Sequence, residues 1–299
     1  MKWLERLYVF LACALLAGVA LFSYHYELER VRPLIAAELA PWNVPNWIIK
    51  TEADVPAPDL AEPPEEVLVA PTSSIRVPVL MYHRVRVPLA SDTASQKLLT
   101  VTPATFEKQM QSLADGGFVP ITPDDLLYAM MTSTARLPSK PVLLTFDDGY
   151  KDDFTNVLPV LERLKFQGTF YIVPAATRFG GFMSPDMITQ AAQSGYVTIG
   201  SHTMHHSDLR YLSEDDRLAE IRDSRTLLQI WSGQPVNSFA YPYGFYNDAV
   251  IRDVESVGYD LAFRTGAGAD HTSSTRFKLP RIQINQDTDV VKTVQRYLK

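Results

Sequence analysis

Two short runs of the 299-residue sequence carry side chains that could do chemistry. Asp147 and Asp148 stand together before Gly149 in TFDDGY (145–150), and SHTMHH (201–206) holds His202, His205 and His206, three of the chain's six histidines. Carboxylate oxygens and imidazole nitrogens are the donors of a divalent-cation site; they suit Zn²⁺, and Co²⁺, Ni²⁺, Fe²⁺ and Mn²⁺ accept the same atoms. The four-residue spacing of His202 and His206 predicts that one helical turn carries both imidazoles on one face. Adjacent strand residues point to opposite faces, so one aspartate can hold a cation while its neighbour takes a proton. Each run also has a plain reading, because Asp-Asp-Gly makes ordinary turns and histidines can line a solvated loop or be satisfied in a core. The two runs together read as a metal site. Histidines are not typical Mg²⁺ ligands, which disfavours a phosphoryl-transfer site on the aspartate pair.

Elements must bring these runs together. Apolar runs predict strands at 77–82, 142–146, 169–173, 197–200, 237–241, 260–263 and 279–284. Amphipathic segments predict helices at 103–115, 123–131, 152–165, 185–194, 213–231, 247–257 and 287–298, with Pro159 kinking the third or marking its first turn. Strands alternating with helices at this spacing predict an α/β fold with a mostly parallel sheet, open or closed into a barrel. In such folds the chemistry sits where strands end. The aspartates close one predicted strand, SHTMHH follows another directly, and His83 follows the first.

TFDDGY (145–150), SHTMHHSDL (201–209) and FAYPYG (239–244), in this order and at these separations, resemble the first three motifs of the polysaccharide deacetylases of the NodB-homology type, over about residues 76–285. The resemblance implies a distorted (β/α) barrel of about seven strands. It also implies metal-dependent removal of N-acetyl groups from N-acetylglucosamine-containing polysaccharide. By the same resemblance Asp148, His202 and His206 are the metal ligands, with Thr203 in the small-hydroxyl position, Asp147 the general base, and the Tyr243 backbone N–H an oxyanion donor. Ala240 departs from the pattern, standing where many relatives carry an arginine that orients the base; Arg281 in LPRI is the expected substitute. No histidine follows His271, although many relatives draw their acid from a late Leu-x-x-x-His-like motif. VPVLMYHRV (77–85), with residues 102–122, resembles the poly-N-acetylglucosamine deacetylase branch, whose acid comes from the N-terminal side. That resemblance assigns His83 as general acid, with His271 second.

The remaining sequence bears on location and partners. The net charge of −6 lies wholly in residues 51–74, which hold six acids, five prolines and no Lys or Arg. Residues 75–299 carry 23 bases and 24 acids, a balance that argues against a nucleic-acid partner and suits an uncharged glycan. Residues 7–24 are free of formal charge and would span about 27 Å as a helix, against a hydrocarbon core of about 30 Å. They predict an N-terminal transmembrane anchor (1–24) rather than a cleaved signal, followed by a juxtamembrane segment and Pro/Glu-rich linker (25–75) and the deacetylase domain (76–299). Flanking charges do not orient the anchor; the location of N-acetylated polymers puts the domain on the extracytoplasmic side. Cys13 is the sole cysteine, so no intrachain disulfide forms. Two other readings remain open: a membrane-tethered glycan-binding protein without catalysis, and another C–N amide hydrolase on the same fold.

Overall fold

The computed structural model describes residues 66–68, 74–132 and 135–298. Eight strands form the main sheet: β1 (Val79–Tyr82), β2 (Val119–Ile121), β3 (Pro141–Asp148), β4 (Gly168–Ile172), β5 (Val197–Ser201), β6 (Ser238–Ala240), β7 (Leu261–Thr265) and β8 (Leu279–Gln283). All but β2 pair in parallel in the order β1, β3, β4, β5, β6, β7, β8, and β8 returns to β1, closing a seven-stranded barrel. β2 lies outside the ring and pairs with the first three residues of β3. The β5–β6 seam is thin, with Ser201 opposite Phe239 as its one described register pair. The strands are near-continuous apolar runs because helices cover one face and the barrel interior the other; the first seven residues of β3 are all buried.

Besides a short helix at Ala94–Leu98, seven α-helices occur among the described residues: α1 (Pro103–Asp115), α2 (Pro123–Met131), α3 (Leu158–Leu164), α4 (Pro185–Gln193), α5 (Glu214–Ser232), α6 (Asp248–Ser256) and α7 (Val290–Leu298). Their starts are written in the sequence. Thr102, Thr122 and Ser184 each cap a helix whose first residue is proline, and Ser213 caps α5 ahead of Glu214, Asp215 and Asp216. A side-chain oxygen satisfies a free N–H there, the proline has none to satisfy, and the acids face the positive end of the helix dipole.

Three features differ from the sequence reading. The helix expected over 152–165 is split: Asp153–Val157 is a π-helical turn and α3 begins beyond it, with Pro159 in its first turn. Proline cannot donate to the preceding turn and crowds its carbonyl, and the wider turn accommodates both. β2 gave no signal because it is three residues long with Pro120 at its centre. Within the stretch read as spacer, Glu66–Leu68 pairs antiparallel with Arg136–Pro138, and across its boundary with the domain Ile75–Arg76 pairs antiparallel with Asp270–His271. The apolar run 7–24 and most of 25–75 lie outside the described residues. Among the described residues no helix is long and apolar enough to cross a membrane.

Candidate metal centre and active site

At the carboxyl end of β3 the two aspartates part. Asp147 keeps strand register opposite Tyr171 of β4 and is buried. Asp148 takes φ 78° and Gly149 φ 71°, so the chain turns sharply; a Cβ on Gly149 would lie 3.0 Å from Ile172 Cγ2. That turn swings the Asp148 carboxylate over the end of β5. Its Oδ1 lies 3.6 Å from His202 Nε2 and 3.4 Å from His206 Nε2. One ligand atom from each of the three residues lies within 4.8 Å of the others. Ligands about 2.0–2.1 Å from a tetrahedral ion stand about 3.3 Å apart, so the donor set fits a divalent cation.

The histidines are aimed by the backbone, and not by a helical turn as their spacing suggested. Residues 202–206 form a loop in which Thr203 and His206 have φ of 63° and 61°. These left-handed residues bring the two rings to a centroid distance of 4.9 Å. His202 Nδ1 lies 2.6 Å from the carbonyl of Ala240; a proton there donates to that oxygen and leaves Nε2 free to bind metal. Burial holds the His202 imidazole down to about 4, against the pull of Asp147 and Asp148, so it is neutral as a ligand must be. His205 stays outside the donor set. Its Nδ1 lies 2.7 Å from Glu220 Oε1, and its backbone N–H donates to Oε2 at 2.9 Å, while the Met204 N–H donates to the Glu220 carbonyl. α5 thereby clamps the loop, a role for Glu220 that no motif announced.

Arg281 reaches Asp147 from β8. Its Nη1 and Nη2 donate to Oδ1 and Oδ2, each at 2.6 Å, and Nη1 also reaches Thr145 Oγ1 at 3.3 Å. Both partners are buried. Burial works against the Asp147 charge, but the Arg281 guanidinium overcomes it and brings the carboxyl down to about 2. The Asp147 carboxyl is therefore ionised and fixed, although Ala240 leaves the expected arginine position empty of charge.

His83 follows β1 at the same end of the barrel, partly buried; Nδ1 is buried without a hydrogen-bond partner. A charge on His83 acts on Asp147 through space. His271 is placed elsewhere: its Nε2 lies 2.7 Å from the Val77 carbonyl, ahead of β1, and burial lowers its basicity. It is a buried structural residue at the other end of the barrel. Tyr243 lies in the turn Pro242–Gly244 with φ 59°. Its ring meets the His206 imidazole at 4.6 Å. Gly244 makes the turn possible, since with φ 73° a Cβ there would lie 2.1 Å from Thr265 Oγ1.

Six functional candidates thus share one barrel end: Asp147, Asp148, His202, His206, His83 and the Tyr243 turn, with Arg281 beneath Asp147. An ionised, fixed carboxylate beside an Asp/His/His donor set on a parallel barrel can hold a divalent cation with a proton acceptor next to it. Residues 134–262 match the family model for polysaccharide deacetylase, and the relatives and solved structures the chain resembles mark it as an amide-hydrolysing enzyme. It is 29% identical over 210 residues to YxkH of Bacillus subtilis (strain 168), covering 70% of this chain and 72% of that one. Similarity to a poly-beta-1,6-N-acetyl-D-glucosamine N-deacetylase of Staphylococcus aureus (strain MRSA252) is 24% identity over 247 residues, 76% and 83% of the two chains. Among solved structures, the deacetylase PplD of Streptococcus pyogenes superimposes with a TM-score of 0.69 at 26% identity, over 75% of this chain and 99% of that one.

Proposed function

We propose that the protein removes N-acetyl groups from an N-acetylglucosamine-containing polysaccharide, an exopolysaccharide or cell-wall glycan. The observation that carries this reading is the Asp147 carboxylate, ionised and held by Arg281 beside the Asp148/His202/His206 donors. The Staphylococcus aureus relative is named for such a substrate.

Asp148, His202 and His206 would hold the cation, most simply Zn²⁺. A divalent cation bound there would supply polarisation of the acetyl carbonyl and a lowered pKa for an attacking water, about 7 for zinc. Asp147 accepts that water's proton; Arg281 fixes both carboxylate oxygens and keeps them aimed. The Tyr243 N–H donates to the oxyanion as charge develops. His83, as imidazolium, gives a proton to the departing sugar nitrogen. A base and an acid in opposite protonation states give a bell-shaped pH–rate profile. The same reading places the domain outside the cytoplasm, tethered to the membrane through residues 1–24.

The test is acetate release from N-acetylglucosamine oligomers, chitin fragments and peptidoglycan, with and without chelator. Release that stops with chelator and returns with zinc is expected. Asp148→Ala should lose metal, Asp147→Asn should keep metal and lose turnover, and His83→Ala should lose about 10²–10⁴-fold in rate. Metal-loaded protein that releases no acetate from any of these substrates sinks the reading.

A further inference from the structure

From His206 outward, exposed rings touch one another in succession. Next to the imidazole stands Tyr243, and Phe245 follows with a centroid distance of 5.8 Å between the two rings. The Arg210 guanidinium lies 4.0 Å over the Phe245 ring and 5.3 Å from that of Tyr211. Tyr211, Tyr243 and Phe245 are 82%, 55% and 44% exposed, three of the nine exposed large apolar side chains among the described residues. They come from the loops that follow β5 and β6, the same loops that supply His202, His206 and the Tyr243 turn. Burial does not explain this arrangement, because solvent reaches every ring in it. The row is nonetheless fixed: Asp208 accepts from Arg210 Nε and Nη2 at 3.0 and 2.7 Å.

We propose that Tyr243, Phe245, Arg210 and Tyr211 form a glycan subsite that stacks sugar rings of the chain on one side of the residue being deacetylated. This rests on the function proposed above. Exposed apolar patches continuous with a site mark ligand grooves, and the apolar C–H face of a pyranose packs on an aromatic face as other flat, weakly polar groups do. Charge argues for the same occupant. Asp208 neutralises Arg210, so the row presents no net charge to a polyanion and suits an uncharged N-acetylated sugar.

The experiment measures kcat/KM of the zinc-loaded full chain on N-acetylglucosamine oligomers from dimer to hexamer. Wild type should favour the hexamer. Phe245→Ala and Tyr211→Ala should each lower the hexamer-to-dimer ratio by about tenfold, the scale of one ring contact, and Phe245→Tyr should restore it. Zinc stoichiometry and circular dichroism report whether each variant is folded. An unchanged ratio in both folded alanine variants overturns the subsite. So does a concentration-dependent sedimentation coefficient that Phe245→Ala abolishes with the ratio intact, which would give the row to a second copy of the chain. Failure of wild type to deacetylate any oligomer is a different result; it removes the proposed function itself, and the subsite with it.

Discussion

At the scale of residues, the buried pair Asp147–Arg281 shows how a site survives the loss of an expected side chain. The sequence presents Ala240 where a base-orienting arginine was expected, yet two 2.6 Å hydrogen bonds come from β8 instead. Removing one partner of a buried ion pair leaves an uncompensated charge, at a typical cost of about 3–5 kcal/mol. Arg281→Met should therefore lower unfolding free energy by about that much, and Asp147→Asn should cost a similar amount because it leaves the Arg281 guanidinium buried without its counter-charge. The double variant should recover a large part of the Arg281→Met loss, and denaturant unfolding of the four proteins measures the coupling. Additive losses would deny that the two side chains depend on each other. Asp153 is the opposite case, a carboxyl buried in the π-helical turn, where burial, reinforced by Asp152, Asp148 and Asp147, pushes its pKa well above the ordinary value. A carboxyl raised on folding binds its proton more tightly in the folded state, so its contribution is fully present below the unfolded value of about 3.9 and is lost as pH rises through the folded value. Asp153→Asn should raise the thermal midpoint of the metal-free protein at pH 7 by at least about 2–4 °C, and the gain should vanish as pH falls toward 4.

At the scale of elements, the site depends on backbone bends that place side chains no periodicity could place. Asp148, Thr203, His206 and Tyr243 all have positive φ, and each lies where a strand gives way to a loop. Gly244 is the most constrained of the neighbouring glycines, since a Cβ would lie 2.1 Å from Thr265 Oγ1 and 2.5 Å from its backbone nitrogen. Gly244→Ala should cost about 1–3 kcal/mol in stability and lower kcat/KM about 10- to 100-fold by displacing the Tyr243 N–H, with zinc affinity the control. Full activity in Gly244→Ala would remove that turn from the site. The seven barrel strands were legible because each is an apolar run bounded by turn residues, and the helices because Thr, Ser and Pro mark their starts. The Asp148/His202/His206 donor set was legible through motif spacing, but not its backbone geometry: a four-residue interval reads as a helical turn, whereas two left-handed residues reach the same juxtaposition. Arg281 was legible only as a candidate, because the contact with Asp147 spans 134 positions and nothing local marks it. Glu220 was not legible at all, being one acid among several on an ordinary amphipathic helix.

At the scale of the whole molecule, charge is partitioned. The acid excess sits in residues 51–74, and residues 75–299 carry 23 bases against 24 acids. Charges at this end of the barrel are matched in pairs, Arg281 with Asp147 beneath it and Arg210 with Asp208 on a partly exposed loop. A domain so balanced has no extended field with which to steer a charged polymer, and an uncharged N-acetylated glycan needs none. The expected outcome is a kcat/KM on neutral oligomers that changes less than about twofold between about 50 and 500 mM salt, because exposed charges are screened over that range while stacking and buried ion pairs are not. Deleting residues 51–65 should leave that insensitivity intact, since the near-balance of charge in residues 75–299 is unchanged by it. A steep fall in kcat/KM with salt would instead mean that binding proceeds through unpaired charge, and would point to an anionic polymer as the substrate.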